Sequence, residues 1–218
     1  MKTKKTSDSF AYAAHECPPQ QAVLVASINS YIDLKEKGAS LEKLGAQRVE
    51  VERNYENFCK DAGHSNAPWI FATIRAIADA AYEDLDAAVA GQKKAKEKAM
   101  LPLELAKNEN NLCDVLRRLA LVAKDAGRKR LLLDEAVENG FSAVARSEGE
   151  NVGMVITLAQ ALCLRGDNDE ADALLKVVFQ NATVGRAGDA ATAHLKFDAG
   201  FRAMSHLPSV ARALQQLE

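Results

Sequence analysis

The stretch from Leu158 to Leu175, Leu-Ala-Gln-Ala-Leu-Cys-Leu-Arg-Gly-Asp-Asn-Asp-Glu-Ala-Asp-Ala-Leu-Leu, constrains the fold of this chain more than any other. Leu158, Ala159 and Leu162 fall on one face at helical spacing, with a small residue where a second helix must come close. Gly166 can adopt the left-handed backbone that ends a helix, and Asp167 can cap the one after it. Ala171 and Leu175 then lie one turn apart on that second helix. The pattern predicts two short helices folded back on each other across a Gly-Asp turn.

Weaker echoes flank it. Upstream, Leu116 to Gly127 repeats the Leu-Ala pattern and ends on glycine, 39 residues before Gly166. Downstream, Val210 to Leu214 sits where Asp169-Glu170-Ala171 sits in the middle unit, with Ala211 40 residues after Ala171. The Leu158–Leu175 unit resembles the helix-turn-helix unit of the tetratricopeptide (TPR) repeat family. The offsets exceed the ~34 residues of a TPR unit and approach the ~40 of HEAT-type pairs. The tryptophan, tyrosine and closing proline of the TPR signature are missing, since Ala120, Ala123, Ala159 and Leu162 fill the helix-A slots. The resemblance covers roughly residues 109–218 and implies a short array of helical hairpins.

Composition favours helix throughout. The chain has 218 residues, 48% of them hydrophobic but only 6% aromatic, so its core is aliphatic. Alanine, leucine, lysine and glutamate dominate, and alternating β-branched runs are scarce. The 28 basic and 30 acidic side chains leave a formal charge of −2, without the basic excess of a nucleic-acid-binding module. The five-residue apolar patch Phe10–Ala14 is too short for a secretory signal, and no run is long enough to span a membrane. Cys17, Cys59, Cys113 and Cys163 are spread without a CxxC pair, which fits free thiols in a reducing cytoplasm.

Read along its length, the sequence predicts an all-α protein. Residues 1–19 form an arm, 20–107 a bundle of long helices, and 108–218 a TPR-like solenoid of shorter hairpins. A first helix carries Leu24, Ile28, Tyr31 and Ile32 and stops at Gly38. Ser40 caps a second, with a seam of Leu41, Leu44, Val51, Tyr55, Phe58 and Ala62 interrupted by Arg48. Asn66 and Pro68 open a third, with Ile70, Ile74, Ile77, Ala81, Leu85 and Ala88 on one side, running on through the lysine-rich segment toward Pro102. Asn108 to Asn111 reads as a linker or cap. Leu112, Val115, Leu116, Leu119, Val122 and Ala126 then make one apolar face. Gly127, Gly140, Gly149, Gly166, Gly185 and Gly188 punctuate the C-terminal half, and Ser147-Glu148-Gly149-Glu150 has the spacing of a capping box.

The inventory of catalytic patterns is thin. His15, His64, His194 and His206 form no HxxxH pair, and carboxylates such as Glu50 and Glu52 or Asp84 and Asp86, two apart on a helix, point away from each other. No phosphate-cradling glycine loop follows a strand. No cofactor or metal is therefore expected. Lys93 to Lys98 and Arg128-Lys129-Arg130 are the basic clusters. The second begins a helix, where the positive end of the dipole disfavours cations, so it is expected to pair with Asp125 and Asp134 or with an acidic partner.

In the TPR family the inner faces of successive first helices line a groove that binds other proteins. The resemblance thus implies a non-enzymatic scaffold of the cytoplasm. Its partner-binding positions would be Asp114, Arg117, Leu121 and Lys124 in the first unit, Ile156, Gln160 and Cys163 in the second, and Lys196 and Met204 in the third. Such a groove, net positive, suits an acidic peptide or helix. Two other readings stand beside it. Residues 20–100 could enclose a small ligand between Trp69, Tyr31, Tyr55 and Tyr82, or the chain could oligomerise through the Leu41–Ala62 seam.

Overall fold

A computed structural model describes residues 19–61, 68–148, 151–182 and 203–215. Among these every regular element is a helix. The chain divides into two compact units, one ending at Ala99 and the other beginning at Met100.

The first unit contains α1 (Pro19–Glu36), α2 (Leu41–Asp61), α3 (Pro68–Ala81) and α4 (Leu85–Lys98). Leu24, Ile28 and Tyr31 of α1 share a core with Val51 and Phe58 of α2 and with Ile74, Ile77, Ala78 and Ala81 of α3. Ser40 caps α2 as its sequence predicts, its hydroxyl accepting from Lys43 N–H. Most of the α2 seam packs within the unit: Val51 and Phe58 are buried, and Leu44 and Tyr55 pack against the core, while Leu41 at its start is 88% exposed. Ala62 lies outside the described residues.

The long third helix expected from the sequence is two helices. Its apolar stripe stays in phase, but the backbone turns left-handed at Glu83 (φ 64°), and Asp84 caps α4 by accepting from Ala87 N–H at 3.2 Å. The resulting α3–α4 hairpin is tight. A Cβ built on Gly91 would stand 2.8 Å from Ala76 Cβ, so Gly91 is a close-packing point inside α4 rather than a helix end.

The second unit contains α5 (Pro102–Val122), α6 (Ala126–Arg146), α7 (Val152–Arg165), α8 (Asn168–Ala182) and α9 (Pro208–Gln215). Asn108 to Asn111 is no linker, because α5 runs unbroken through it. Asn108 donates to Glu104 O at 2.9 Å, and the buried Glu109 carboxylate accepts from Arg146 at 2.9 Å. The division of the chain therefore falls earlier than the sequence suggests, before Pro102. Gly140 is mid-helix too. A Cβ there would lie 2.9 Å from Leu158 Cδ1 and 3.1 Å from Cys113 Sγ, which marks where α5, α6 and α7 meet most closely.

Successive helices of this unit are antiparallel. Glu109 and Cys113 of α5 stand opposite Arg146 and Gly140 of α6, and Gly140 and Asp134 of α6 stand opposite Leu158 and Arg165 of α7. Gly166 is left-handed (φ 102°) and the Asp167 carbonyl accepts the first bond of α8, which is the Gly-Asp hairpin expected from the sequence. Ala171 and Leu175 are buried in it. α7 starts on Asn151, whose side chain accepts from Met154 N–H, while Ser147 closes α6. Gly149 and Glu150, the second half of the expected capping box, lie outside the described residues. The Asp172 carboxylate on α8 accepts from the Ser209 amide at 2.8 Å and its hydroxyl at 2.5 Å, tying down the start of α9.

Candidate functional site

Among the described residues the turn joining α5 to α6 is one of two places in its unit, with the start of α5 at Met100, Leu101 and Leu103, where several large apolar side chains stand in solvent. α5 ends with Ala123 N–H donating to Leu119 O, and Asp125 caps α6 by accepting from Arg128 N–H at 2.6 Å. Only Ala123, Lys124 and Asp125 separate the two helices. Around this turn Leu121 (55% exposed), Val122 (64%) and Leu131 (71%) stand in solvent. In the same unit Leu112, Leu116, Leu158, Leu162 and Leu175 are fully buried. Lys124, Arg128 and Lys129 are also exposed around it.

The electrostatics of the turn follow from its caps. Three consecutive cations in the first turns of α6 oppose the helix dipole. Asp125 offsets part of this with its carboxylate at the cap, and Asp134 accepts from Arg130 at 3.3 Å and from Arg165 at 3.4 Å. The local pairing expected for the basic cluster is thus made by Arg130. Among the described residues neither the Lys124 nor the Lys129 side chain has a hydrogen-bond or ion-pair partner.

The positions carried over from the repeat family fall in different environments. Leu121 and Lys124 are exposed at the turn. Asp114 and Arg117 are half-buried and bonded to each other, so the Arg117 charge is already answered inside the unit. Ile156, Gln160 and Met204 are buried and present no surface. Cys163 is half-buried, and burial followed by the nearby Asp172 pushes its thiol up to about 11. Lys196 lies outside the described residues. Two of the nine positions, Leu121 and Lys124, therefore meet at one exposed place.

Val122 adjoins them in the chain, and Leu131 is exposed in the second turn of α6. Val122 belongs by spacing to the buried face of α5, but the helix ends there, and while Leu119 and Ala120 of the same turn are buried, Val122 is 64% exposed. Leu131 could have been found in the sequence. Leu131-Leu132-Leu133 cannot all face one side at 100° per residue, and here Leu133 is buried, Leu132 intermediate and Leu131 exposed.

A second polar cluster lies in the first unit. Arg75 bonds Glu52 at 2.6 Å and Asp79 at 2.8 Å. Burial works against its charge, but these two carboxylates outweigh it and raise its pKa. Arg48, which interrupts the α2 seam, stacks 4.3 Å from the centre of the Tyr82 ring, and Tyr31 meets the same ring edge-on at 4.9 Å. The Tyr82 hydroxyl faces Glu52 without a well-formed hydrogen bond, and burial, then that carboxylate, raises its pKa. Tyr55 donates to Phe71 O at 3.4 Å, and burial, then Cys59, pushes it up to about 12. Tyr31, Tyr55 and Tyr82 thus serve as packing and bonding groups between α1, α2 and α3.

Cys59, Cys113 and Cys163 are free thiols, and burial pushes Cys113 up to about 12. Among the described residues no three His, Cys, Asp or Glu side chains are placed to hold a metal ion, and no helix is long and apolar enough to cross a membrane. Comparison with protein-family models, with curated proteins and with solved structures finds no match for this chain.

Proposed function

We propose that the chain is a non-enzymatic interaction scaffold of the cytoplasm, whose second unit is a short TPR-like array of hairpins presenting the α5–α6 turn to an acidic partner. One observation carries this reading: Leu121 and Val122, the last two residues of α5, are exposed next to the exposed Lys124 of the turn. Exposed aliphatic side chains grouped beside cations suit a segment that combines acidic and apolar residues. The three free thiols among the described residues, one of them fully buried, suit a reducing compartment.

Affinity capture from the native host followed by mass spectrometry tests it, comparing the native chain with a Leu121→Glu, Lys124→Glu variant. Both positions are exposed, where a substitution shifts stability by only about 0.5 kcal/mol, so the two proteins should melt together. The expected result is a partner captured by the native chain and lost by the variant, with capture weakening as salt is added. Equal capture by both would remove the turn from the function. Arg117 is a poor choice for such a test, because Arg117→Glu would set two carboxylates together beside Asp114.

A further inference from the structure

Independently of the α5–α6 turn, we infer that the outward face of α2 is the contact of a two-fold dimer, in which α2 of one copy of the chain lies antiparallel on α2 of another. The inner face of α2 is taken up within the first unit. Val51 and Phe58 enter the core, Gln47 donates to Ser27 O of α1 at 3.3 Å, Glu52 bonds Arg75 of α3, and Arg48 stacks on Tyr82. The opposite face carries a second seam, Glu42, Ala46, Val49 and Arg53, all exposed, with Val49 at 69%. Its steps of four, three and four residues are those of a coiled-coil seam. At about 100° per residue these four side chains fall within roughly 60° of arc, on the far side of the helix from Val51 and Phe58. Among the described residues the side chains of Glu42, Lys43, Glu50 and Arg53 have no hydrogen-bond or ion-pair partner.

The order of residues along this seam names its occupant. Turned end for end about an axis level with the peptide between Gln47 and Arg48, the seam matches itself. Glu42 of each copy then stands opposite Arg53 of the other, and Ala46 opposite Val49. On one flank, Lys43 of each copy approaches Glu50 of the other. Acid thus faces base and aliphatic faces aliphatic at every level, a self-match that an isologous contact requires and a different partner would not need. A parallel pairing would set Glu42 against Glu42 and Arg53 against Arg53, so the charges also fix the direction. Ala46 and Val49 alone bring apolar surface to the seam, and exposed ion pairs are individually weak and screened by salt. The dimer should therefore be reversible and salt-sensitive.

The test is the mass of the full chain in solution, by sedimentation equilibrium over a range of concentration and salt. The native chain should approach twice its monomer mass at low salt and dissociate as salt rises. Glu42→Arg should be monomeric, because it sets two arginines against each other, and Arg53→Glu should be monomeric for the converse reason. Both exchanges in one chain, Glu42→Arg with Arg53→Glu, should restore the dimer, and so should an equimolar mixture of the two single variants. That rescue separates a lost contact from a lost fold. A native chain monomeric at every concentration overturns the inference, and it is also the result expected if a different protein occupies this face. A dimer that survives either single reversal, or single variants that neither the double exchange nor mixing rescues, overturns it equally. None of these positions lies in the second unit, so the capture experiment decides separately whether the α5–α6 turn binds a partner.

Discussion

On α4, Gln92 is 1% exposed, and among the described residues neither the nitrogen nor the oxygen of its amide has a hydrogen-bond partner. An amide stripped of water and left unpaired costs roughly 1–3 kcal/mol, whereas an apolar side chain of similar length at the same place costs nothing of the kind. Gln92→Met should therefore raise the chemical-denaturation midpoint of the first unit, by an amount equivalent to about 1 kcal/mol. A lowered midpoint would mean that the amide is satisfied after all, for instance by a buried water. Asn108 and Asn139 differ in this respect, since each donates to a backbone carbonyl four residues earlier on its own helix. Cys113 illustrates the opposite case: it is buried at the Gly140 crossing, where its small, weakly polar thiol fits.

At the scale of the element, glycines separate two effects that act in opposite directions. Gly45 sits in α2 with open space where a Cβ would go, so Gly45→Ala should gain the helix preference of alanine, up to about 1 kcal/mol. Gly140 sits in α6 with Leu158 and Cys113 crowding that place, so Gly140→Ala should lose stability by about 1–3 kcal/mol despite the same preference. Opposite shifts in denaturation midpoint are expected, and two shifts of the same sign would contradict the close approach of α5, α6 and α7. The helical nature of these segments was legible in the stripes of Leu24 to Ile32 and Val51 to Phe58, and the hairpin at Gly166 was legible to the residue. The break at Glu83 was not, because the apolar stripe keeps its phase across it and the only local signal is Asp84 as a cap. Gly91 and Gly140 misled for a related reason: glycine in a sequence marks either a stop or a close crossing, and only the partner helix decides which. Asn108 to Asn111 reads as a linker because its polarity is visible, while the bond from Arg146 to Glu109, 37 residues away, is not.

Across the whole molecule, each unit buries its own core, and the second unit leaves aliphatic side chains in solvent around both ends of α5, Leu101 and Leu103 at its start and Leu121 and Val122 at its close. The candidate site was legible only in part. Leu121 and Lys124 came from the family resemblance, but Ile156, Gln160 and Met204, placed by the same correspondence, are interior, because burial depends on how hairpins stack and not on position within one. The most direct measurement is hydrogen–deuterium exchange of the chain with and without the partner recovered by capture. If the α5–α6 turn is the docking surface, protection is gained over residues 120–133 while the amides of α1 to α4 exchange as before. Protection confined to α1 to α4, with exchange at the α5–α6 turn unchanged, would contradict it.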